Sequence, residues 1–342
     1  MFILRSVKSD DLEQLFQLSQ FVTFINLPSD KDKIAQLIHR SEKSFRNPSQ
    51  KLDQNYYVFA LEDLQQKKVV GISLIHALHG TEKEPHFYLS VGQEVKYCAS
   101  MQMGSTHGTL KLGTQTDGYT ELGSLVMHPD YRGHPHKLGK QISFVRFLYL
   151  GLNPERFRPL VHSELMPPFD ENNQSPLWEA IGRRFLKMDY HSADQISRDN
   201  KEFILDLYPS ENIYQTLLPK TARDAIGKVG PETVAVKKML ESVGFKYTFE
   251  VDPFDGGPHY RCALKNILPI TQMQNEIPWD LVDQLDVNSS LVLITLEHPE
   301  HAFSAVQVQA QMGPEHLQIL KDEKTPFIQD FLPPLISAIP LI

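Results

Sequence analysis

The chain has 342 residues, 41% hydrophobic and 22% charged, with 34 Lys and Arg against 42 Asp and Glu, a formal net charge of −8 and a pI near 6.0. This is the composition of a globular protein long enough for two domains, and its acidity argues against nucleic acid or an anionic membrane as partner. Its two cysteines, Cys98 and Cys262, lie far apart without metal-ligand spacing, which predicts a reducing compartment rather than a disulfide framework. No run approaches the roughly 18 apolar residues of a membrane span, and the apolar run in MFILRSVKSDDL is too short for a signal peptide, so a cytoplasmic protein is expected.

In chain order, Leu4 to Val7 reads as a strand and Asp10 to Leu18 as a helix, with Asp10 or Asp11 near its N-cap. A second helix is predicted from Asp30 to Phe45. Tyr56 to Leu61 and Val69 to Leu78 flank the polar DLQQKK turn and predict an antiparallel hairpin. Gly80 to Gly118, rich in Gly, Thr and Ser without a helical period, reads as irregular strands and loops.

The stretch from Glu121 to Leu150 is the most informative. Leu122, Leu125, Val126 and Met127 form a short apolar run stopped by His128-Pro129-Asp130. Apolar residues then return at helical spacing through Ile142, Phe144, Val145, Leu148 and Tyr149, so a helix begins near Leu138. The turn between carries Gly133 and Gly139, which let backbone approach a ligand, the cations Arg132 and Lys137, and N–H groups at a helix start. Such a turn suits a pyrophosphate; the alternative is a basic surface turn. The lysine-serine ending of a P-loop and a G-x-G-x-x-G fingerprint are both missing.

Further along come a strand near Leu160 to Leu165, a helix from Ser175 to Phe185 with Pro176 in its first turn, and a helical insertion at about 192–228. A helix from Glu232 to Val243 closes at Gly244, followed by a strand from Lys246 to Val251, a turn cluster from Asp252 to Pro258, and a strand near Tyr260 to Leu264. Beyond Ile270, Leu291 to Leu296 and Phe303 to Val308 read as strands of a small β-rich module, and the apolar tail FLPPLISAIPLI is expected to dock on something.

A strand ending in x-P-x-x-R-G, then a basic-glycine turn and an amphipathic helix, resembles motif A of the GNAT superfamily of acyl-CoA-dependent N-acetyltransferases. The Arg/Gln-x-x-Gly-x-Gly/Ala pattern of that motif is met by His134-x-x-Lys137-x-Gly139, without the first glycine. Over essentially its whole length the chain is similar to the arginine N-succinyltransferase family (AstA, AruF and AruG). The segments that carry the likeness are ELGSLVMHPDYR, Ser175–Tyr190 (SPLWEAIGRRFLKMDY), Glu202–Tyr214 (EFILDLYPSENIY) and Val243–Pro258 (VGFKYTFEVDPFDGGP). The resemblance implies an α/β (α+β) fold with a GNAT-type mixed sheet flanked by helices, divided into a GNAT-like domain at 1–268 and a β-rich module with its apolar tail at 269–342. It also implies transfer of succinyl from succinyl-CoA to the α-amino group of L-arginine or ornithine in arginine catabolism. Acyl-CoA is then a co-substrate rather than a tightly bound cofactor, and self-association or pairing with a related subunit is expected. The readings that compete are a non-catalytic or weakly catalytic acyl-CoA-binding subunit and an N-acyltransferase for another amine.

Leu125 matches the residue the family uses for succinyl-CoA, and Met127 lies where the pantetheine arm is expected to run. Period two puts Glu121 on the same strand face as Leu125 and Met127, where a carboxylate is a candidate general base or, alternatively, half of a structural ion pair. The family's proton-donor histidine lies in an I-G-x-V-H-P segment; Ile226-Gly227-Lys228-Val229-Gly230-Pro231 stands there, so that position is Gly230. The tyrosine that serves in other GNAT enzymes is replaced by Trp178, which leaves three alternatives: a proton from His162, Tyr247 or water, a thiolate that departs unassisted at reduced rate, or loss of the activity. The family's E-M-R-G segment is Glu164-Leu165-Met166-Pro167, without the arginine, and its glycine-rich N-terminal turn is the bulkier Phe21 to Pro28. Glu164 and Asp255 are candidate partners for a cationic substrate side chain, against simple turn stabilisation. No metal site is expected: His134-x-His136 has no third ligand near it in sequence, and His76 and His79 read as surface or core residues.

Overall fold

The computed structural model describes residues 1–21, 27–197 and 200–342; the expectation placed on Phe21 to Pro28 therefore falls largely outside the described residues. Strand β1 (Phe2–Ser6) and helix α1 (Leu12–Ser19) open the chain. Asp11 is the N-cap residue of α1, as expected, but its side chain makes no capping bond; its carboxylate accepts the Lys8 N–H at 2.9 Å and the Arg5 guanidinium at 2.7 and 2.8 Å. Helix α2 (Lys31–Arg46) does start on a cap, Asp30, which accepts the N–H groups of Asp32 and Lys33. Strands β2 (Tyr56–Asp63) and β3 (Lys68–His79) form the expected antiparallel hairpin.

Gly80 to Gly118 is regular, contrary to the sequence expectation. Strands β4 (His86–Cys98) and β5 (Met103–Gln115) pair antiparallel throughout, from His86↔Gln115 to Cys98↔Met103. The distal half of this ribbon is exposed along both strands, and a strand that buries neither face needs no apolar alternation, the signal by which strands are read. Strand β6 (Tyr119–Met127) and helix α3 (Leu138–Leu152) follow as expected, then β7 (Leu160–Glu164).

The expected Ser175–Phe185 helix is two short pieces, α4 (Pro176–Ala180) and α5 (Gly182–Leu186), interrupted at Ile181 (φ −124). The Trp178 ring fills the space over Gly182, where a Cβ would come within 2.2 Å of it. The insertion holds α6 (Tyr190–Ser197), α7 (Glu202–Leu207), a short strand β8 (Ile213–Tyr214) paired with β5, and α8 (Lys220–Ala225). Helix α9 (Val234–Ser242) leads into the antiparallel strands β9 (Lys246–Val251) and β10 (Pro258–Ala263). The remainder comprises α10 (Leu268–Thr271), β11 (Gln274–Ile277), β12 (Trp279–Val282), β13 (Ser290–Leu296), β14 (Ser304–Met312), β15 (Leu317–Leu320), α11 (Thr325–Gln329) and β16 (Ile336–Pro340).

These elements make two compact units. The first comprises Met1–Leu78, Thr120–Val161 and Ala263–Ile342. Its strand order is β11-β16-β13-β14-β1-β2-β3-β6, with β15 on β14 and β12 parallel to β15. Leu15, Ile34 and Ile38 from the helices pack on Val58, Ile72 and Val126 of the strands. The strands beyond residue 268 join the same sheet through β14 and share a core with Ile3 of β1. The apolar tail is β16, buried along its length and paired with β13 and β11, so its hydrophobicity is satisfied within the unit and is no argument for self-association. The second unit comprises His79–Tyr119 and His162–Cys262, with β10, β9, β4, β5 and β8 in that order and the end of β7 beside β10. No helix among the described residues is long and apolar enough to cross a membrane.

Arg5 and Asp11 form a buried ion pair, each side chain 2% exposed, and Arg5 also binds Glu62 at 2.5 Å. Removing Asp11 leaves the buried guanidinium with Glu62 as its remaining carboxylate, at a cost below the about 3–5 kcal/mol of a fully stranded charge, about 2–3 kcal/mol. Asp11→Ala is therefore expected to lower the urea unfolding free energy by that amount. Glu13→Ala, which breaks the exposed Lys31–Glu13 pair, is expected to change it by under about 1 kcal/mol. Equal effects would show that burial at Arg5 does not set the cost.

Candidate functional site

In the first unit the candidate residues lie on β6 and the turn after it. Burial alternates along β6, with Thr120, Leu122, Ser124 and Val126 inside and Glu121, Leu125 and Met127 together on the partly open face, as period two requires. Ser124 departs from extended backbone, with φ 48 in the left-handed region, so the strand is locally broken between Glu121 and Leu125. The carbonyl of Gly123 beside the break accepts from Arg146 of α3 at 3.4 Å. Arg146 is buried, donates also to the carbonyl and hydroxyl of Ser143, and has its pKa brought down to about 9 by burial. The Glu121 carboxylate lies 3.9 Å from His76 Nδ1. His76 is stacked on Tyr56 at 4.0 Å and its Nε2–H donates to the Asp53 carbonyl at 3.0 Å, which fixes the ring and leaves Nδ1 towards Glu121.

Lys137 precedes α3 in the left-handed region, φ 54; its side chain does not cap the helix, and no acidic residue lies in the first turn. Gly133 also has positive φ, 71, and nothing lies within 4 Å of the place a Cβ would take on Gly133 or Gly139. The turn thus presents an uncapped helix N-terminus between Arg132 and Lys137 with clear backbone approach, which are the requirements for an anion. His134 and His136 stack on each other at 5.1 Å, and Phe2 packs edge-on to His134 at 5.2 Å, so β1 supports the turn.

In the second unit Glu164 ends β7. Its Oε1 lies 3.2 Å from His162 Nε2, 3.4 Å from His86 Nδ1 and 3.9 Å from His259 Nε2. The three imidazoles stand with centroids 4.9 to 5.1 Å apart. All three rings are buried, while the Glu164 side chain is 31% exposed. Arg261 donates from Nε to His162 Nδ1 at 3.2 Å, lies over the Tyr119 ring and pairs with Glu250. Burial brings the His162 pKa down to about 3 and holds His86 well below the usual imidazole range. For Glu164 burial works upward, but the charge of His259 and the bond from His162 prevail and hold it well below the usual carboxylate range.

Asp255 is 6% exposed and its Oδ1 accepts the Gly257 N–H at 2.7 Å, a turn-forming bond. Burial, then the neighbouring Asp252, pushes it well above the usual carboxylate range. Asp252 accepts the N–H groups of Phe254 and Asp255 at 2.7 and 3.0 Å, and burial together with the charge of Glu164 raises it to about 6. Gly230 donates its N–H to the Met166 carbonyl at 2.9 Å, and a Cβ there would lie 2.8 Å from the Pro167 carbonyl oxygen. The two departures noted in the sequence, Gly230 and Met166, therefore pack against each other. Trp178 is buried, stacked on Phe254 at 4.8 Å, with its indole N–H given to the Met188 carbonyl. Tyr247, half-buried, is raised to about 12, mainly by burial.

The histidine cluster escaped the sequence reading because its members come from β4, β7 and β10, between residues 86 and 259. Only His162 and Glu164, two apart on one strand, left a local trace.

Residues 2–269 match the family described as "Arginine N-succinyltransferase beta subunit". An arginine N-succinyltransferase of Yersinia pseudotuberculosis is 31% identical over 327 residues, covering 93% of this chain and 92% of its own. The arginine N-succinyltransferase subunit beta of Pseudomonas aeruginosa is 34% identical over 276 residues, 80% of each chain. The solved arginine/ornithine succinyltransferase subunit AI of Pseudomonas aeruginosa superimposes with a TM-score of 0.82 at 25% identity, over 100% of this chain and 99% of that one.

The raised pKa of Asp252 carries a sign. The native state holds this proton more tightly than the unfolded chain, whose carboxyl titrates near 3.8. The contribution is fully present below about pH 4 and is lost as pH rises through about 6, up to about 3 kcal/mol. Asp252→Asn keeps an acceptor oxygen for both N–H groups and removes the charge. Urea unfolding from pH 4 to 7 is expected to show the parent losing stability relative to the variant; parallel profiles would contradict the buried charge.

Proposed function

Since the chain belongs to the arginine N-succinyltransferase family, we propose that it is an acyltransferase that moves the succinyl group of succinyl-CoA to the α-amino group of L-arginine or ornithine. The observation that carries this reading is the continuity of β6, turn and α3. Leu125 and Met127 supply a face for the pantetheine arm, and Arg132, Gly133, Lys137 and Gly139 surround an uncapped helix start suited to the pyrophosphate. Glu121 shares the Leu125 face and takes the proton as the amine attacks the thioester carbonyl. The C–N bond forms, the C–S bond breaks, and the sulfur leaves as thiolate.

The thiolate's proton comes from water. Gly230 has no group to give, and the His162 Nε2–H is engaged by Glu164. Of the two expected substrate carboxylates, Glu164 is ionised and partly open whereas Asp255 is closed into its own turn; Glu164 is thus the better partner for a cationic acceptor. Cys98 and Cys262 form no disulfide, which supports a cytoplasmic location. The subunit descriptions of the relatives support assembly with a second copy or a related chain.

A second reading, an acyl-CoA-binding subunit with little activity of its own, is favoured by the closed packing of Gly230 on Met166 and Pro167. Thiol release from succinyl-CoA with arginine or ornithine separates the two. Catalysis predicts amine-dependent release, with kcat reduced about 10²–10⁴-fold in Glu121→Gln and KM for succinyl-CoA little changed. Tight CoA binding without turnover on either amine would favour the subunit. Lys137→Ala is expected to raise KM for succinyl-CoA several-fold without lowering kcat; an unchanged KM would remove the turn from the pyrophosphate site.

A further inference from the structure

We propose that His86, His259 and Glu164 form a binding site for a divalent transition-metal ion, with His162 positioning the glutamate. The ligand atoms of His86, His162, Glu164 and His259 all lie within 4.8 Å of one another. Around Glu164 Oε1, the facing nitrogens of His86 and His259 stand at 3.4 and 3.9 Å. Donors at about 2.0–2.1 Å from a tetrahedral ion are about 3.3–3.4 Å apart; the His86–Glu164 separation already meets this and the others would have to contract from up to 4.8 Å.

The cluster holds buried imidazole nitrogens without a hydrogen bond. Both nitrogens of His259 and Nε2 of His86 make no hydrogen bond, although these rings are 0% and 2% exposed. A neutral imidazole has one donor and one acceptor nitrogen, and folded interiors leave few such atoms unpaired. An ion beside Glu164 gives a partner to His259 Nε2, which faces that carboxylate at 3.9 Å, while His86 would ligate through Nδ1, the nitrogen that faces Glu164. Two neutral imidazoles and a carboxylate suit Zn²⁺ or a similar transition ion better than Ca²⁺ or Mg²⁺, which prefer oxygen.

The surrounding bonds have the form of a metal site's support. Arg261 donates to His162 Nδ1 at 3.2 Å, so the proton of the neutral ring sits on Nε2 and is given to Glu164 Oε1 at 3.2 Å. That tautomer excludes His162 Nε2 as a ligand and makes it the hydrogen-bond donor that holds a ligating carboxylate. His79 Nε2, 3.1 Å from His86 Nδ1, yields when an ion takes that lone pair. The exposed side of Glu164 gives access, and three protein ligands leave a position for water or a substrate oxygen. This inference concerns binding, and it shares Glu164 with the acceptor site proposed above. An ion on Glu164 would reverse the charge presented there and draw an acceptor's carboxylate rather than its cationic end.

The test is titration of the full-length, chelator-treated protein with Co²⁺ at neutral pH, read by visible absorption and by bound metal after dialysis. One equivalent with the absorption of a low-coordinate site, displaced by Zn²⁺, is expected. Glu164→Gln and His259→Asn should each weaken binding at least about 100-fold, and His162→Gln about 10–100-fold. Glu164→Gln preserves size and decides the matter if His259→Asn fails to fold by circular dichroism. His301→Asn, in the separate His298–Glu300–His301 group, should change nothing. No stoichiometric binding, binding undiminished in Glu164→Gln, or loss in His301→Asn would each overturn the proposal. One bound Co²⁺ without turnover of any amine keeps it and removes the acyl-transfer reading; turnover with no bound Co²⁺ does the reverse.

Discussion

Strand β1 is hydrogen-bonded along both edges, to β2 from Phe2↔Asp63 to Ser6↔Phe59 and to β14 at Leu4↔Ala305. Buried backbone groups must find partners, so the residues before 78 and after 263 cannot part without leaving an open edge in the middle of the first unit. Arg5 reinforces the constraint from within the strand, because its guanidinium is buried and reaches its charges only through Asp11 and Glu62. The same strand's Phe2 packs against His134. The turn before α3 is thereby supported by the strand that joins the two ends of the chain, and Arg146, fixed in α3, holds the carbonyl beside the break in β6.

The second unit is governed by a different quantity, the cost of keeping polar groups out of water. Three imidazoles and a carboxylate converge at the end of β7, two further carboxylates lie in the turn from Asp252 to Gly257, and Arg261 with Glu250 orders His162. Burial keeps His86 and His162 neutral and drives Asp252 and Asp255 towards their protonated forms, while Glu164, surrounded by imidazoles, stays ionised. A carboxylate held ionised among imidazoles is an arrangement that can receive a cation, whether a substrate's or a metal ion.

Gly230 and Met166 are separate departures in the sequence but one event in space. The Gly230 N–H is satisfied by the Met166 carbonyl, Thr233 donates its hydroxyl to the same oxygen at 2.7 Å, and Pro167 occupies the room a side chain at 230 would need. Restoring a histidine there is therefore not a local change; it requires the backbone after Glu164 to move.

The sequence by itself determined which face of β6 carries Glu121, Leu125 and Met127, where α3 begins, and the strand and helix pattern of most of the chain. Each of these depends on periodicity within one element or on short-range turn chemistry. It could not show the β4–β5 ribbon, whose exposed half lacks alternation, nor that the Asp11 carboxylate turns to the buried Arg5 rather than to the N–H groups of α1. Only the tertiary structure decided that His86, His162, His259 and Glu164 meet, that Asp255 is closed into its own turn, and that the apolar tail is an internal strand. Periodicity reports which side of an element is buried; which sides face each other follows from long-range strand pairing, and the chemistry of the second unit arises only there.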